Sequence, residues 1–214
     1  MKIFLSYLTE HKRTAGKIRL SLILKGFDLF LAHDDIEPTA EWADSIIQNI
    51  KDCDIFIPIL TEGFENSKWV NQEIGMAYAW EKLIVPLKIE SDPPAFISKY
   101  QALKYVDNHE ILIEKITDII ADWPQTAVKF RDFIIQRLEN SNTYNETEKI
   151  VEILIKYEKY SVTQILKLIE CSISNGQIYD CFKAKDELPR FVKKHGYTID
   201  QSIMDKFKRK MERG

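Results

Sequence analysis

Apolar residues recur with two different periods along the first 120 positions of this chain. Lys2–Tyr7 is a short apolar run that predicts a buried strand, and His11–Lys25 then shows helical spacing at Ile18, Leu22 and Leu24. Gly26 stands where a left-handed residue ends such a helix. Phe27–Ala32 predicts a second strand, and Trp42–Ile50 a helix with Ile46, Ile47 and Ile50 on one side. Asp54–Leu60 is continuously apolar, as expected of a strand covered on both faces. Ser67 is placed to cap a helix running to about Trp80. Leu83–Ile89 predicts a fourth strand and Lys104–Asp107 a poorer fifth. Glu110–Asp122 then reads as a helix carrying Ile111, Ile113, Ile116 and Ile120.

Alternation of this kind implies an α/β fold, a flavodoxin-like five-stranded parallel sheet with helices on both faces. Ligands of such sheets gather at the carboxyl ends of the strands. That directs attention to Ser6–Tyr7, the loop 32–41 and the stretch Thr61–Glu73. Near Trp123-Pro124 the pattern becomes purely helical, with stretches at 125–139, 146–158, 161–174, 178–194 and 200–212. Pro189 is expected to end or bend the fourth of them. The chain is therefore read as an α/β domain over 1–122 and a small all-α C-terminal domain over 123–214, suited to oligomerisation or sensing. Ile150, Val151, Leu154, Ile165, Leu168 and Ile169 form its expected core, with a share of them available for an oligomer interface.

Composition narrows the chemistry. The seven glycines stand at 16, 26, 63, 75, 176, 196 and 214, too dispersed for a glycine-rich phosphate cradle. Conventional dinucleotide oxidoreductases and P-loop NTPases are thereby disfavoured. Three cysteines, Cys53, Cys171 and Cys181, form no C-x-x-C pair and read as reduced thiols. The apolar start MKIFLSY is too short for a signal peptide, and no run approaches the ~18 apolar residues of a membrane span. A cytoplasmic protein without a membrane partner is expected. Residues 1–124 carry 13 basic and 20 acidic groups, a balance of −7, whereas residues 125–214 carry 17 and 13, a balance of +4. Such asymmetry suits two modules with different surfaces and is too mild to indicate nucleic-acid binding. Histidines 11, 33, 109 and 195 lack ligand spacing, so no metal is expected. The basic stretch Lys206–Arg213 reads as a solvated last helix.

Trp69 and Glu73 lie four residues apart on one predicted helix. An indole one turn from a carboxylate suits a glycosidic reaction: the ring holds a flat heterocycle, and the carboxylate stabilises positive charge developing on the sugar. Burial beside Trp69 would raise the glutamate's pKa. By itself such a pair is commonly packing plus a solvated carboxylate.

Its company is more specific. Phe4-Leu5-Ser6-Tyr7 ends the first strand, Gly26-Phe27-Asp28-Leu29-Phe30-Leu31 forms the second, and Ala32-His33-Asp34-Asp35-Ile36-Glu37-Pro38 follows as a loop. Asp54–Leu60, Ser67–Glu73 and Ile84-Val85-Pro86-Leu87 come next, in that order. Over about residues 1–122 this series resembles a bacterial Toll/interleukin-1 receptor (TIR) domain, residues 32–38 being similar to its BB loop. The resemblance implies that Glu73 is the catalytic glutamate of enzymatic members, which split NAD+ at the ribose–nicotinamide bond. It also implies a substrate-binding role for Trp69, Phe4, Ser6, Tyr7 and the loop residues Ala32, His33, Asp34 and Asp35. Trp42, just beyond that loop, is either a pocket wall or a core anchor. NAD+ is then a substrate, and no cofactor is needed. Products in the family are nicotinamide with ADP-ribose or a cyclic ADP-ribose isomer, in immune or anti-phage signalling. Self-association through TIR surfaces and through the C-terminal helices is expected, with an effector or sensor protein as a further partner. Pro38 and Thr39 stand where many family loops carry glycine.

Two other functions fit the same residues: a non-enzymatic TIR scaffold acting by self-association, and a nucleoside deoxyribosyltransferase-like enzyme. The intact Trp69…Glu73 spacing favours the NAD+ enzyme over the first, and the BB-like loop argues against the second.

Overall fold

β1 (Lys2–Ser6) lies inside a parallel sheet, paired with β2 (Asp28–Leu31) on one side and β3 (Ile55–Leu60) on the other. The computed structural model describes residues 1–31 and 42–212. Beyond β3 follow β4 (Leu83–Ile84) with β5 (Leu87–Lys88), and then β6 (Leu103–Lys104) at the edge. β4 and β5 both pair with β3, Ile55 opposite Leu83 and Ile59 opposite Leu87, so they are two halves of one interrupted strand. Pro86 stands at the break, where the absent backbone N–H leaves no donor for the ladder. Counting these halves as one position gives the doubly wound order expected of a flavodoxin-like sheet.

The chain falls into two compact units, Met1–Thr126 and Ala127–Gly214. In the first, α1 (Lys12–Leu24), α2 (Trp42–Asp52), α3 (Lys68–Ala79) and α4 (His109–Asp122) flank the sheet. A short 3-10 turn at Ala95–Ile97, rather than an α-helix, connects β5 to β6. β3 is buried at every position, as a strand covered by helices on both faces must be. Gly26 has φ 85°; its N–H reaches the Ile23 carbonyl and the N–H of Phe27 the Leu22 carbonyl, the paired bonds of a Schellman stop. That stop turns the chain straight into β2.

Three predicted core positions point outward instead. Leu24, Ile47 and Ile111 are exposed, whereas Ile18, Leu22, Ile46, Ile50, Ile113, Ile116 and Ile120 are buried. Each exposed residue adjoins the apolar stripe in sequence but falls outside the arc of about 100° that a flanking helix buries.

Among its described residues the second unit is built of helices joined by short connections: most of α5 (Pro124–Glu139), then α6 (Tyr144–Lys156), α7 (Val162–Ser174), the single turn α8 (Gly176–Tyr179), α9 (Phe182–His195) and α10 (Gln201–Met211). Ile150, Val151, Leu154, Ile165, Leu168 and Ile169 are fully buried within it, so none of them is surface for an oligomer contact. Ser161 and Gln164 form a reciprocal capping box at the start of α7. The predicted helix 178–194 is two elements, α8 and α9, separated at Asp180-Cys181. Pro189 lies inside α9 without ending it. The helix continues because Leu188, Phe191 and Val192, all buried, hold its second half against the core. Their burial, about 1.5–3 kcal/mol for each large side chain, offsets the proline penalty of about 3 kcal/mol.

Candidate active site

Alternation along β1 puts Phe4 and Ser6 on the same face of the sheet. Phe4 marks that face: it packs in the cluster containing Ile46 and Ile50 of α2 and Val70, Ile74 and Ala77 of α3. Ser6, the last residue of β1, therefore points toward α3 at the carboxyl end of the sheet. The Ser67 hydroxyl accepts the Val70 N–H and starts α3, fixing which residues of the helix turn inward. Val70, Glu73, Ile74 and Ala77 form its buried face.

Glu73 is thus carried into the interior, where it exposes 2% of its surface. The Ser6 hydroxyl donates to its Oε2 at 2.5 Å. Burial raises the carboxyl from 4.5 to about 7, and the Ser6 hydrogen bond acts in the opposite direction by favouring the anion. Near neutral pH the group is divided between acid and carboxylate, so it can hold a proton or oppose a developing cation.

Trp69 is 42% exposed and sits at the rim, one turn before Glu73. Its ring meets Trp42 edge-on, with centroids 4.2 Å apart and planes at 82°. Trp42 is half-buried against the core cluster and touches Trp69. Phe4 is placed differently from a pocket-lining residue. It is fully buried, with Phe56 and Phe30 each 5.4 Å away between centroids, and its ring presents no surface to a ligand. Tyr7 is also buried. Ala32, His33, Asp34 and Asp35 lie outside the described residues.

The hydrogen bond between Ser6 and Glu73 was not legible in the sequence, because 67 positions separate its ends. Thr61 was also passed over as an individual residue. Its Oγ1 is buried just beyond β3 with no hydrogen-bond partner among the described residues. A polar residue directly after six buried ones was the available signal.

Among the described residues no three His, Cys, Asp or Glu side chains are grouped to hold a metal ion, and no helix is long and apolar enough to cross a membrane. Cys53, Cys171 and Cys181 are free and buried, and burial pushes the thiols of Cys53 and Cys171 up to about 12. They are poor nucleophiles in that state.

No match was found among curated proteins. Among solved structures, the TIR domain of the Toll-related receptor TRR-2 from Hydra magnipapillata is 16% identical, with a TM-score of 0.47, and the match covers 55% of this chain and 96% of that one. The TIR domains of the activated Roq1 resistosome recognising the pathogen effector XopQ are 20% identical with a TM-score of 0.40, over 72% of this chain and 98% of that one. The CMP N-glycosidase BcmB of Clostridium botulinum is 22% identical with a TM-score of 0.40, over 54% and 98%. The family assignment itself rests on sequence: the family model of the TIR domain matches residues 3–118, just over half of the 214. By that match, the chain belongs to the TIR-domain family.

Proposed function

We propose that this protein is a TIR-type NAD+ nucleosidase with Glu73 as its catalytic residue. The observation that carries the reading is the Glu73 carboxyl, buried at the carboxyl end of the sheet, held by Ser6 and raised to about 7. In the reaction the bond from C1′ of the ribose to the nicotinamide nitrogen breaks. Its electron pair leaves with the base and neutralises the pyridinium. The ionised Glu73 stabilises the oxocarbenium-like sugar, where a fixed charge in a dry site acts most strongly. Water then attacks C1′ and releases a proton, giving ADP-ribose. Attack by a group of the same molecule gives a cyclic isomer instead. Trp69 offers a flat surface at the rim for a heterocycle, and Trp42 braces it edge-on. Ser6 and Tyr7, both buried, shape the floor rather than bind by an open face.

The test is release of nicotinamide from NAD+ by the full chain at high concentration, compared with Glu73→Ala and Glu73→Gln. Wild-type release lost in both variants supports the reading, and variants as active as wild type overturn it. A second reading, a scaffold that acts by self-association alone, is favoured by the closure of the site, since Glu73 exposes only 2%. Under that reading purified assemblies of the chain leave NAD+ intact. An immune or antiviral signalling role in the cytoplasm, with the helical unit holding protomers together or sensing a trigger, follows from family resemblance.

A further inference from the structure

α3 runs back across the sheet from the carboxyl end, where Glu73 sits, and its last turn carries Tyr78 toward the amino ends of the strands. A cavity of about 450 Å³ opens there, with Tyr78, Glu81, Lys82, Lys99, Tyr100 and Trp123 in its walls. That is the size of a small-molecule site. Tyr78 and Trp123 are 37% and 38% exposed, and Phe96 stacks on Tyr78 with centroids 5.5 Å apart and planes at 16°.

A cation already lies among these rings. Nζ of Lys99 is 4.8 Å from the centre of Tyr78 and 5.3 Å from that of Tyr100, within the range at which an aromatic face attracts positive charge. The Tyr78 hydroxyl accepts from it at 3.0 Å and raises the pKa of the ammonium, which keeps it charged. Lys99 is itself exposed, so its ammonium can leave the rings for water. Lys82 turns its ammonium to the Lys51 carbonyl at 2.5 Å.

Glu81 brings the opposite charge from an unfavourable backbone position. Its φ is 52°, in the left-handed region that favours glycine. α3 is closed at this residue: the Glu81 N–H reaches the Tyr78 carbonyl at 3.1 Å and the Lys82 N–H the Ala77 carbonyl at 3.0 Å. Helices commonly place glycine at such a stop. A glutamate held there at a cost in backbone strain points to a use for its carboxylate.

We propose that this cavity binds a small organic cation with an alkylated ammonium group, which displaces Lys99 from the rings of Tyr78, Tyr100 and Trp123 and pairs with Glu81. Aromatic faces beside a carboxylate recognise such a group by charge and by shape. It displaces the resident lysine because a primary ammonium is strongly hydrated, whereas an alkylated one gives up water readily. The site lies at the far end of α3 from Glu73 and does not depend on the chemistry assigned to that residue.

The test is isothermal titration calorimetry of the full chain with choline chloride and with its neutral isostere dimethylbutanol, at constant ionic strength. Choline binds saturably and the alcohol does not. Lys99→Ala removes the competing cation and tightens choline binding by about threefold or more. Tyr78→Leu and Trp123→Leu each weaken it by about fivefold or more. If either of these fails to fold, Lys99→Ala, at an exposed position, decides the matter. Glu81→Gly weakens binding while raising the melting temperature, because glycine relieves the backbone; a glutamate with no ligand gives the second effect without the first. Affinity unchanged in Trp69→Ala places choline away from Glu73. Choline that binds neither wild type nor Lys99→Ala, an alcohol that binds as well, a Glu81→Gly chain that keeps its affinity, or a Trp69→Ala chain that loses it overturns the proposal. Sedimentation with phosphatidylcholine vesicles separates the sources of the ammonium: a chain carried down with them reads a lipid headgroup, which overturns the assignment to a free small molecule. Nicotinamide release, read separately, bears on Glu73 and not on this cavity.

Discussion

The Ser6 hydroxyl and the Glu73 carboxyl meet at 2.5 Å between β1 and α3, both nearly excluded from solvent. Their relationship is one of opposition. Desolvation favours the neutral acid, and the hydroxyl favours the anion. The outcome, a carboxyl near 7, leaves the group able to change protonation near neutral pH.

Glu73→Gln separates stability from activity. In wild type the folded carboxyl titrates at about 7 against 4.5 as the ordinary value, so the native state holds a proton that the unfolded chain releases across that window. Stability therefore falls as pH rises from 4.5 to about 7 and shows no further Glu73 contribution above it. The total is roughly 3 kcal/mol. Glutamine keeps the shape, accepts the Ser6 hydrogen bond and does not titrate. Thermal or urea unfolding across pH 4 to 9 is expected to show the variant matching wild type at the acid end and exceeding it above neutrality, by up to roughly 3 kcal/mol. Nicotinamide release is lost at every pH.

Ser6→Ala removes a hydrogen bond that favours the carboxylate. The Glu73 pKa then rises further, and the proposed activity, which needs the anion, moves its acid limb to higher pH. Nicotinamide release at neutral pH falls and recovers in alkaline buffer, while a purely structural defect lowers the rate equally at all pH. An unshifted profile would falsify the assignment of Ser6 as the group that tunes Glu73.

Most of the scaffold was legible because burial leaves a mark on composition: Ile55–Leu60 had to be a covered strand, and Ser67 could be read as the cap of α3 before any coordinate. The site was legible only in part. Trp69 and Glu73 are about 40° apart around the helix at 3.6 residues per turn, close enough to predict one shared face. The boundary of burial falls within that angle, leaving the indole at the rim and the carboxyl inside. Where an edge falls depends on how the helix is rolled against the sheet, which packing of Val70, Ile74 and Ala77 decides. The burial of Phe4 was illegible for a related reason. Its position at the end of β1 suggested a pocket, yet rings from β2 and β3 close over it on both sides.

Trp69→Ala is expected to raise KM for NAD+ with a smaller change in kcat. The ring is 42% exposed, so its removal costs little folding energy, whereas stacking on a heterocycle is worth about 1–3 kcal/mol. That corresponds to a rise of about 5-fold to 150-fold. Trp69→Phe recovers a large share by keeping a flat ring. Steady-state kinetics on the three chains separate this from a structural effect, and a kcat loss with unchanged KM counts against a stacking role.

The last prediction concerns where the chain can be divided. Contacts separate at Thr126–Ala127, yet that point lies inside α5, which starts at Pro124. Proline at the first helical position is favourable because its missing N–H has no partner there. A fragment beginning at 127 loses this start and the first turn, whereas one beginning at 124 keeps both. The second unit also has what independent folding needs: a buried core around Phe130, Leu154, Leu168 and Phe207, a capping box on α7, and Arg131, whose Nε donates to the Glu158 carbonyl at 2.6 Å and ties down the turn after α6. Residues 124–214 expressed alone are therefore expected to be helical by circular dichroism and to unfold in one cooperative transition. The fragment 127–214 should melt several degrees lower, since the lost helix start is worth about 1 kcal/mol and a domain of this size shifts by about 4–8 °C for that loss. Equal melting temperatures would show that the proline-led turn contributes nothing, and a non-cooperative 124–214 would show that the helical unit depends on the TIR unit for its fold.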